Sequence, residues 1–130
     1  MKFILPFPPS VNSKYKINRG KRWKSEKDKE WIKAATNAIN EQNILPFSGR
    51  CYVFYELCHP DNRGRDASNY EKKTTDLLVN LNILAGDERR YIKGIFCYWN
   101  DKPGDYIIVR IIPVDKFDIL QIINKLDSLA

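Results

Sequence analysis

Apolar and polar positions along the chain group into alternating strand-like and helix-like runs. Lys2 to Leu5 reads as a short strand, and Pro6, Pro8 and Pro9 stop it and send the chain into an extended loop. A basic segment from Tyr15 to Trp23 is expected to form a loose hairpin around Asn18, Arg19 and Gly20, where glycine permits the positive φ of such turns. Ser25 is suited to cap a helix, with Glu26 and Asp28 in its first turn, and Trp31, Ile32, Ala35, Ala38 and Ile39 recur at helical spacing. Cys51 to Cys58 is rich in β-branched and aromatic residues and reads as a strand that ends at Pro60. A second helix is predicted to begin near Asp66 or Ser68. Tyr70, Thr74, Leu77, Leu78 and Leu81 fall on one of its faces, and Asn69, Lys72 and Asp76 on the other. Tyr91 to Trp99 and Tyr106 to Val114 read as strands separated by Asn-Asp-Lys-Pro-Gly, which predicts an antiparallel hairpin. Asp115 is expected to cap a last helix that turns Phe117, Leu120, Ile123 and Leu126 inward. The order of elements predicts an α+β fold, a mixed β-sheet with about three helices, in a single small domain covering residues 1–130.

Length and composition agree with one compact domain that has enough apolar residues for a core. The formal charge of +6 is unevenly spread. Lys14, Lys16, Arg19, Lys21, Arg22 and Lys24 crowd one stretch, and Arg63, Arg65, Lys72 and Lys73 another. Either cluster alone also suits a solvated surface, but together with the acidic residues discussed next they favour a nucleic-acid partner. Cys51, Cys58 and Cys97 show no CxxC spacing and lie in apolar runs, so they read as buried thiols and not as a disulfide or zinc framework. No apolar run approaches the roughly 20 residues of a membrane span, and no signal-peptide pattern opens the chain, so a cytoplasmic protein is expected.

The candidate chemistry lies between Pro60 and Glu88, PDNRGRDASNYEKKTTDLLVNLNILAGDE. Asp66 stands where an arginine-rich loop becomes a helix, Lys72 is on the polar side of that helix, and Asp87 follows it in a Gly-Asp turn. Phosphodiester hydrolysis needs a nucleophilic water and neutralisation of the charge that builds on the phosphate. Mg2+, or Mn2+, held by one or two carboxylates supplies both. Asp66 and Asp87 are the candidate metal ligands, provided the chain folds back so that they meet, and Lys72 is a candidate to stabilise developing charge. Asp66 also reads as a helix cap, Asp87 as a turn residue and Lys72 as a solvated lysine, and capping by one oxygen is compatible with metal binding by the other. Arg63 and Arg65 suit bidentate phosphate contacts. His59, between Cys58 and Pro60, reads as a packing or hydrogen-bonding residue, so a serine-hydrolase triad has no support.

These motifs resemble the RusA-type Holliday junction resolvases, small dimeric metal-dependent endonucleases of phages and prophages. PFPPSVNSKYKINRG is similar to the family's opening strand, its Pro-Pro-Ser-x-Asn loop and the basic stretch that follows, and CHPDNRGRDASN to its Pro-Asp, arginine-rich, Asp-x-Asp-Asn signature. The resemblance implies catalytic roles for Asp66, Lys72 and Asp87, with metal on Asp66 and Asp87. It also implies DNA contacts from Lys14, Lys16, Arg19, Lys21, Arg22, Arg63, Arg65 and Lys73, and a homodimer acting on four-way DNA junctions. The family's second aspartate of the Asp-x-Asp-Asn motif is Ser68 here, a neutral hydroxyl that weakens the metal site, and Glu71, Glu88 or, less well, Asp61 could compensate. Two other readings stand beside this one: a branched-DNA-binding protein of the same fold that does not cut, which Ser68 favours, and a small basic protein that binds RNA or another protein, its acidic residues serving as caps and turns.

Overall fold

A computed structural model describes residues 1–9, 15–18, 21–61 and 64–130, and for 15–18 and 21–24 the backbone only. Its strands are β1 (Lys2–Pro6), β2 (Tyr15–Asn18), β3 (Lys21–Lys24), β4 (Cys51–Cys58), β5 (Ile92–Trp99) and β6 (Tyr106–Pro113). The helices are α1 (Glu26–Glu41), α2 (Ala67–Asn80) and α3 (Ile119–Leu129), with a 3-10 turn at Val114–Lys116. The architecture is α+β. A four-stranded mixed sheet in the order β1-β6-β4-β5 is joined by a separate two-stranded hairpin of β2 and β3, as the basic segment predicts.

β4 takes a central position because it is apolar on both faces, and it is buried at every position except Phe54. It pairs antiparallel with β6 and parallel with β5. A parallel pair cannot be closed by a tight turn, so α2 forms the crossover between β4 and β5. This corrects the expected β5–β6 hairpin: the Asn100–Gly104 loop carries the chain past β4, which lies between the two strands. Alternation along the strands sends Phe3, Leu5, Val53, Tyr55, Leu57, Ile107, Val109 and Ile111 to one face of the sheet. There they form a single core with Trp31, Ala35 and Ile39 of α1 and Tyr70, Leu77 and Leu78 of α2.

Ser25 caps α1 by accepting from the Asp28 N–H at 3.2 Å. The Trp31 indole donates to the Pro6 carbonyl at 2.9 Å, fixing α1 to the end of β1. At the other end of α1, the Gln42 amide accepts from the Ile4 N–H at 2.9 Å and donates to the Ile4 carbonyl at 2.7 Å, so it blocks the outer edge of β1.

The C-terminal helix also differs from expectation. Asp118, not Asp115, caps it, and none of its residues is buried: Leu120, Ile123 and Leu126 are 67%, 42% and 53% exposed. The inner face of the sheet is already filled by α1 and α2. Phe117 packs instead against Tyr52, Phe54 and Phe96 on the opposite face.

That outer face carries one charged network. Glu56 accepts from the Tyr98 hydroxyl at 2.6 Å, from Arg110 Nη1 at 2.9 Å and from Asn100 Nδ2. These donors, Tyr98 first and Arg110 next, hold its carboxyl down from an ordinary 4.5 to about 2. A depressed carboxyl stabilises the fold fully above its unfolded value and loses that contribution as the pH falls through the folded one. The stability of the wild type is therefore expected to decline between pH 4.5 and about 2. Glu56→Gln should decline less steeply over that window, as read by thermal melts followed by circular dichroism.

Candidate active site

After β4 the chain is clasped before it enters α2. His59 Nδ1 donates to the Asp61 carbonyl, and the Asp61 carboxylate takes two N–H groups of Arg65, through Nη1 and, at 2.8 Å, Nη2. This hydrogen bonding to Asp61 raises the Arg65 pKa further. The Arg65 side chain is 10% exposed, and its guanidinium carbon lies 5.9 Å from the centre of the Phe7 ring. Arg65 thus sits on the wall of an open groove of about 830 Å3, whose sides include Pro8, Pro9, Lys27, Trp31 and Tyr70. Phe7, Tyr70, Trp99 and His59 form an aromatic group behind it, which gives the lone histidine the packing role expected of it.

Asp66 is the N-cap of α2. Its Oδ1 accepts from the Ser68 N–H at 3.1 Å and from the Ser68 hydroxyl at 2.9 Å. The serine that replaces the family's aspartate is therefore a donor to Asp66, and both residues are exposed. Six residues on, Lys72 is 67% exposed with its Nζ 3.8 Å from Asp76 Oδ2. Glu71 accepts from Thr75 Oγ1 at 2.8 Å, and since that hydroxyl has one proton, the buried Tyr55 hydroxyl must donate to Thr75 in turn, also at 2.8 Å.

Lys73 requires a correction. It was expected on the DNA-facing side, but its side chain is 1% exposed and its Nζ lies 2.9 Å from Asp28 Oδ1, which is equally buried. An ammonium enclosed between α1 and α2 cannot reach a phosphate. Helical spacing separates it from Lys72: Lys73 is three residues after Tyr70 and four before Leu77, on the apolar face of α2, where the docking of α1 brings Asp28 over it. This buried pair is what the sequence reading missed, because Asp28 looked like an ordinary first-turn acid.

Asp87 and Asp66 do not meet within one chain. α2 has 14 residues and at 1.5 Å each is about 21 Å long, with Asp66 at its start and Asp87 beyond its end. The Ala67 carbonyl is 3.7 Å from Cys97 Sγ, so Asp66 is level with the far half of β5. The Glu88 carbonyl accepts from the Tyr91 and Ile92 N–H groups at 2.9 Å each, so Asp87 is level with the beginning of β5. Glu88 itself pairs with Arg90 at 3.2 Å. Among the described residues no three Asp, Glu, His or Cys side chains converge on a common point. Of the remaining candidates, Lys14, Arg19 and Arg63 lie outside the described residues, as do Ser10 and Asn12. Lys16, Lys21 and Arg22 lie in β2 and β3, where only the backbone is described.

The family model for the endodeoxyribonuclease RusA matches residues 6–111. The chain belongs to the RusA family. The crossover junction endodeoxyribonuclease rusA of Enterobacteria phage HK97 is 28% identical over 98 residues, 72% of this chain and 82% of that protein. The RusA match contains Asp66, Ser68, Lys72 and Asp87 and stops before α3. No helix among the described residues is long and apolar enough to cross a membrane.

Removing one partner of a buried ion pair leaves the other charge uncompensated. Lys73→Met is accordingly expected to lower unfolding stability by about 3–5 kcal/mol in urea titrations, and the double variant Asp28→Leu/Lys73→Met to lower it less.

Proposed function

We propose that this protein is a divalent-metal-dependent endodeoxyribonuclease that resolves four-way DNA junctions by paired, symmetric phosphodiester hydrolysis in recombination and repair, acting as a homodimer in the cytoplasm. The family match over residues 6–111 carries this reading, because it spans both candidate carboxylates and the lysine between them. Mg2+ is the proposed cofactor, with Mn2+ as a substitute; when bound, such an ion neutralises phosphate charge and lowers the pKa of a bound water. The roles proposed for this chain's residues are more limited. Asp66 and Asp87 offer carboxylate oxygens, Lys72 offers an exposed ammonium to the negative charge that develops on the phosphate, and Arg65 orients a strand along the groove from its anchor on Asp61.

The basic hairpin segment, with Lys14, Lys16, Arg19, Lys21 and Arg22, and the loop residue Arg63 are proposed to contact the arms of the junction. A two-fold dimer suits a substrate that presents two equivalent strands. A second reading is favoured by one observation, the Ser68 hydroxyl directed at Asp66: the protein recognises branched DNA and cuts it weakly or not at all.

The deciding experiment is incubation of a labelled four-way junction, beside a matched linear duplex, with Mg2+ or Mn2+. Paired nicks confined to the junction are expected, and Asp87→Asn should reduce them at least about 100-fold, on the scale of losing one transition-state contact. Tight junction binding without nicks would establish the second reading. Binding should weaken steeply between 50 and 200 mM salt, roughly as the counterion-release law requires for several phosphate contacts. In Ser68→Asp, a carboxylate replaces the donor on Asp66. The metal-free variant is therefore expected to melt lower than wild type, and added Mn2+ to raise its melting temperature by more than it raises the wild type's.

A further inference from the structure

α3 is a short helix that its own chain does not support. Six of its 11 residues are leucine or isoleucine, yet every residue from Leu120 to Ala130 is exposed. A helix of fewer than about 12–15 residues is marginal in water by itself, and helices in proteins draw most of their stability from packing an apolar face. Ile119, Ile122, Leu126 and Leu129 recur at spacings of three and four, which lines them up as one stripe. Asp118 and Lys125, a heptad apart, flank one side of that stripe, and Asn124 lies behind it.

Those two charges select a partner and a direction. Parallel copies of α3 would set Asp118 level with Asp118 and Lys125 level with Lys125, like against like. Antiparallel copies that cross at Ile122 instead place Asp118 beside the partner's Lys125 at both ends of the seam. Ile122 then faces its own copy, and Ile119 faces the partner's Leu126. A crossing two residues further along would bring the two Lys125 side chains together, so the charges also fix the register. Opposite charges beside an apolar seam are the means by which helix pairs choose partner and orientation. In this register Leu129 reaches the level of the partner's Asp115. There, at the root of α3, opens a hollow of about 290 Å3 whose sides include Tyr52, Val114, Phe117 and Leu120, with Lys93 and Asp115.

We infer that α3 is a self-association helix, which pairs antiparallel with α3 of a second copy of this chain through the Ile119–Leu129 stripe and two reciprocal Asp118–Lys125 contacts. α3 follows Phe117, which packs on the outer face of the sheet, so the copies join on the side away from α1 and α2. Asp66 and Lys72 on α2 are left uncovered. The inference does not depend on the nuclease reading, because α3 lies beyond the matched residues 6–111.

Sedimentation equilibrium and cysteine trapping on the full chain test it. At equal chain concentration the wild type should show twice the mass of Ile122→Asp/Leu126→Asp, which circular dichroism should show to be folded, since α3 adds nothing to the core. Treated with diamide, Ile122→Cys should be trapped as a disulfide-linked pair, while Asn124→Cys and the wild type are not. Adding Lys125→Glu to Ile122→Cys sets like charges beside each other and should lower the trapped fraction severalfold. Equal masses for the wild type and the double variant overturn the inference, as does trapping at position 124 as readily as at 122. Equal masses together with flotation of the wild type, but not of the double variant, on phosphatidylglycerol vesicles would overturn it in favour of a lipid surface.

Discussion

Parallel pairing of β4 with β5 is the constraint from which the rest of the arrangement follows. Two parallel neighbours must be joined by a segment that returns along the whole length of the sheet, and α2 is that segment. Its start therefore lies at the end where β4 finishes, and its end where β5 begins. Any residues that flank α2 in sequence, as Asp66 and Asp87 do, are held about a helix length apart. The relation between the two candidate carboxylates is thus a matter of strand direction and not of loop conformation.

The same crossover sets the electrostatics of the helix layer. α2 can cover β4 and β5 only by lying beside α1, and that contact places Asp28 and Lys73 against each other out of water. A buried pair of this kind adds little net stability but strongly resists the loss of either member. A neighbouring lysine, Lys72, points the other way and remains exposed beside Asp76. Of two adjacent cations in a basic cluster, one is structural and the other is available for a ligand.

On the loop side, Asp61 and Arg65 join the end of β4 to the start of α2, and Trp31 joins α1 to Pro6 at the end of β1. The groove between these two joints is walled by proline and aromatic side chains, with Lys27 and Arg65 bringing positive charge and Glu30 and Asp105 negative charge. At the start of α2 the Ser68 hydroxyl donates to Asp66 where an acid would repel it.

The local elements were legible in the sequence. Ser25 and Asp66 cap the helices expected of them, prolines end β1 and the region after β4, and the helical face with Tyr70, Thr74, Leu77 and Leu78 is the buried one. Each of these depends on neighbours two to four residues away, so a short stretch of chain contains all the physics involved. The strand order was not legible. The Asn-Asp-Lys-Pro-Gly loop suggested a hairpin, yet β6 lies against β4 because a strand apolar on both faces gains most from two neighbours. Nor could the pattern of α3 reveal its exposure, since its apolar face depends on whether the sheet has room, and α1 and α2 had already filled it. The sequence by itself determined which residues could carry charge, cap a helix or enter a core. Only the tertiary structure decided that Lys73 meets Asp28 in a buried pair and that the chain does not fold back to bring Asp87 to Asp66, because these outcomes depend on competition among surfaces far apart in the chain.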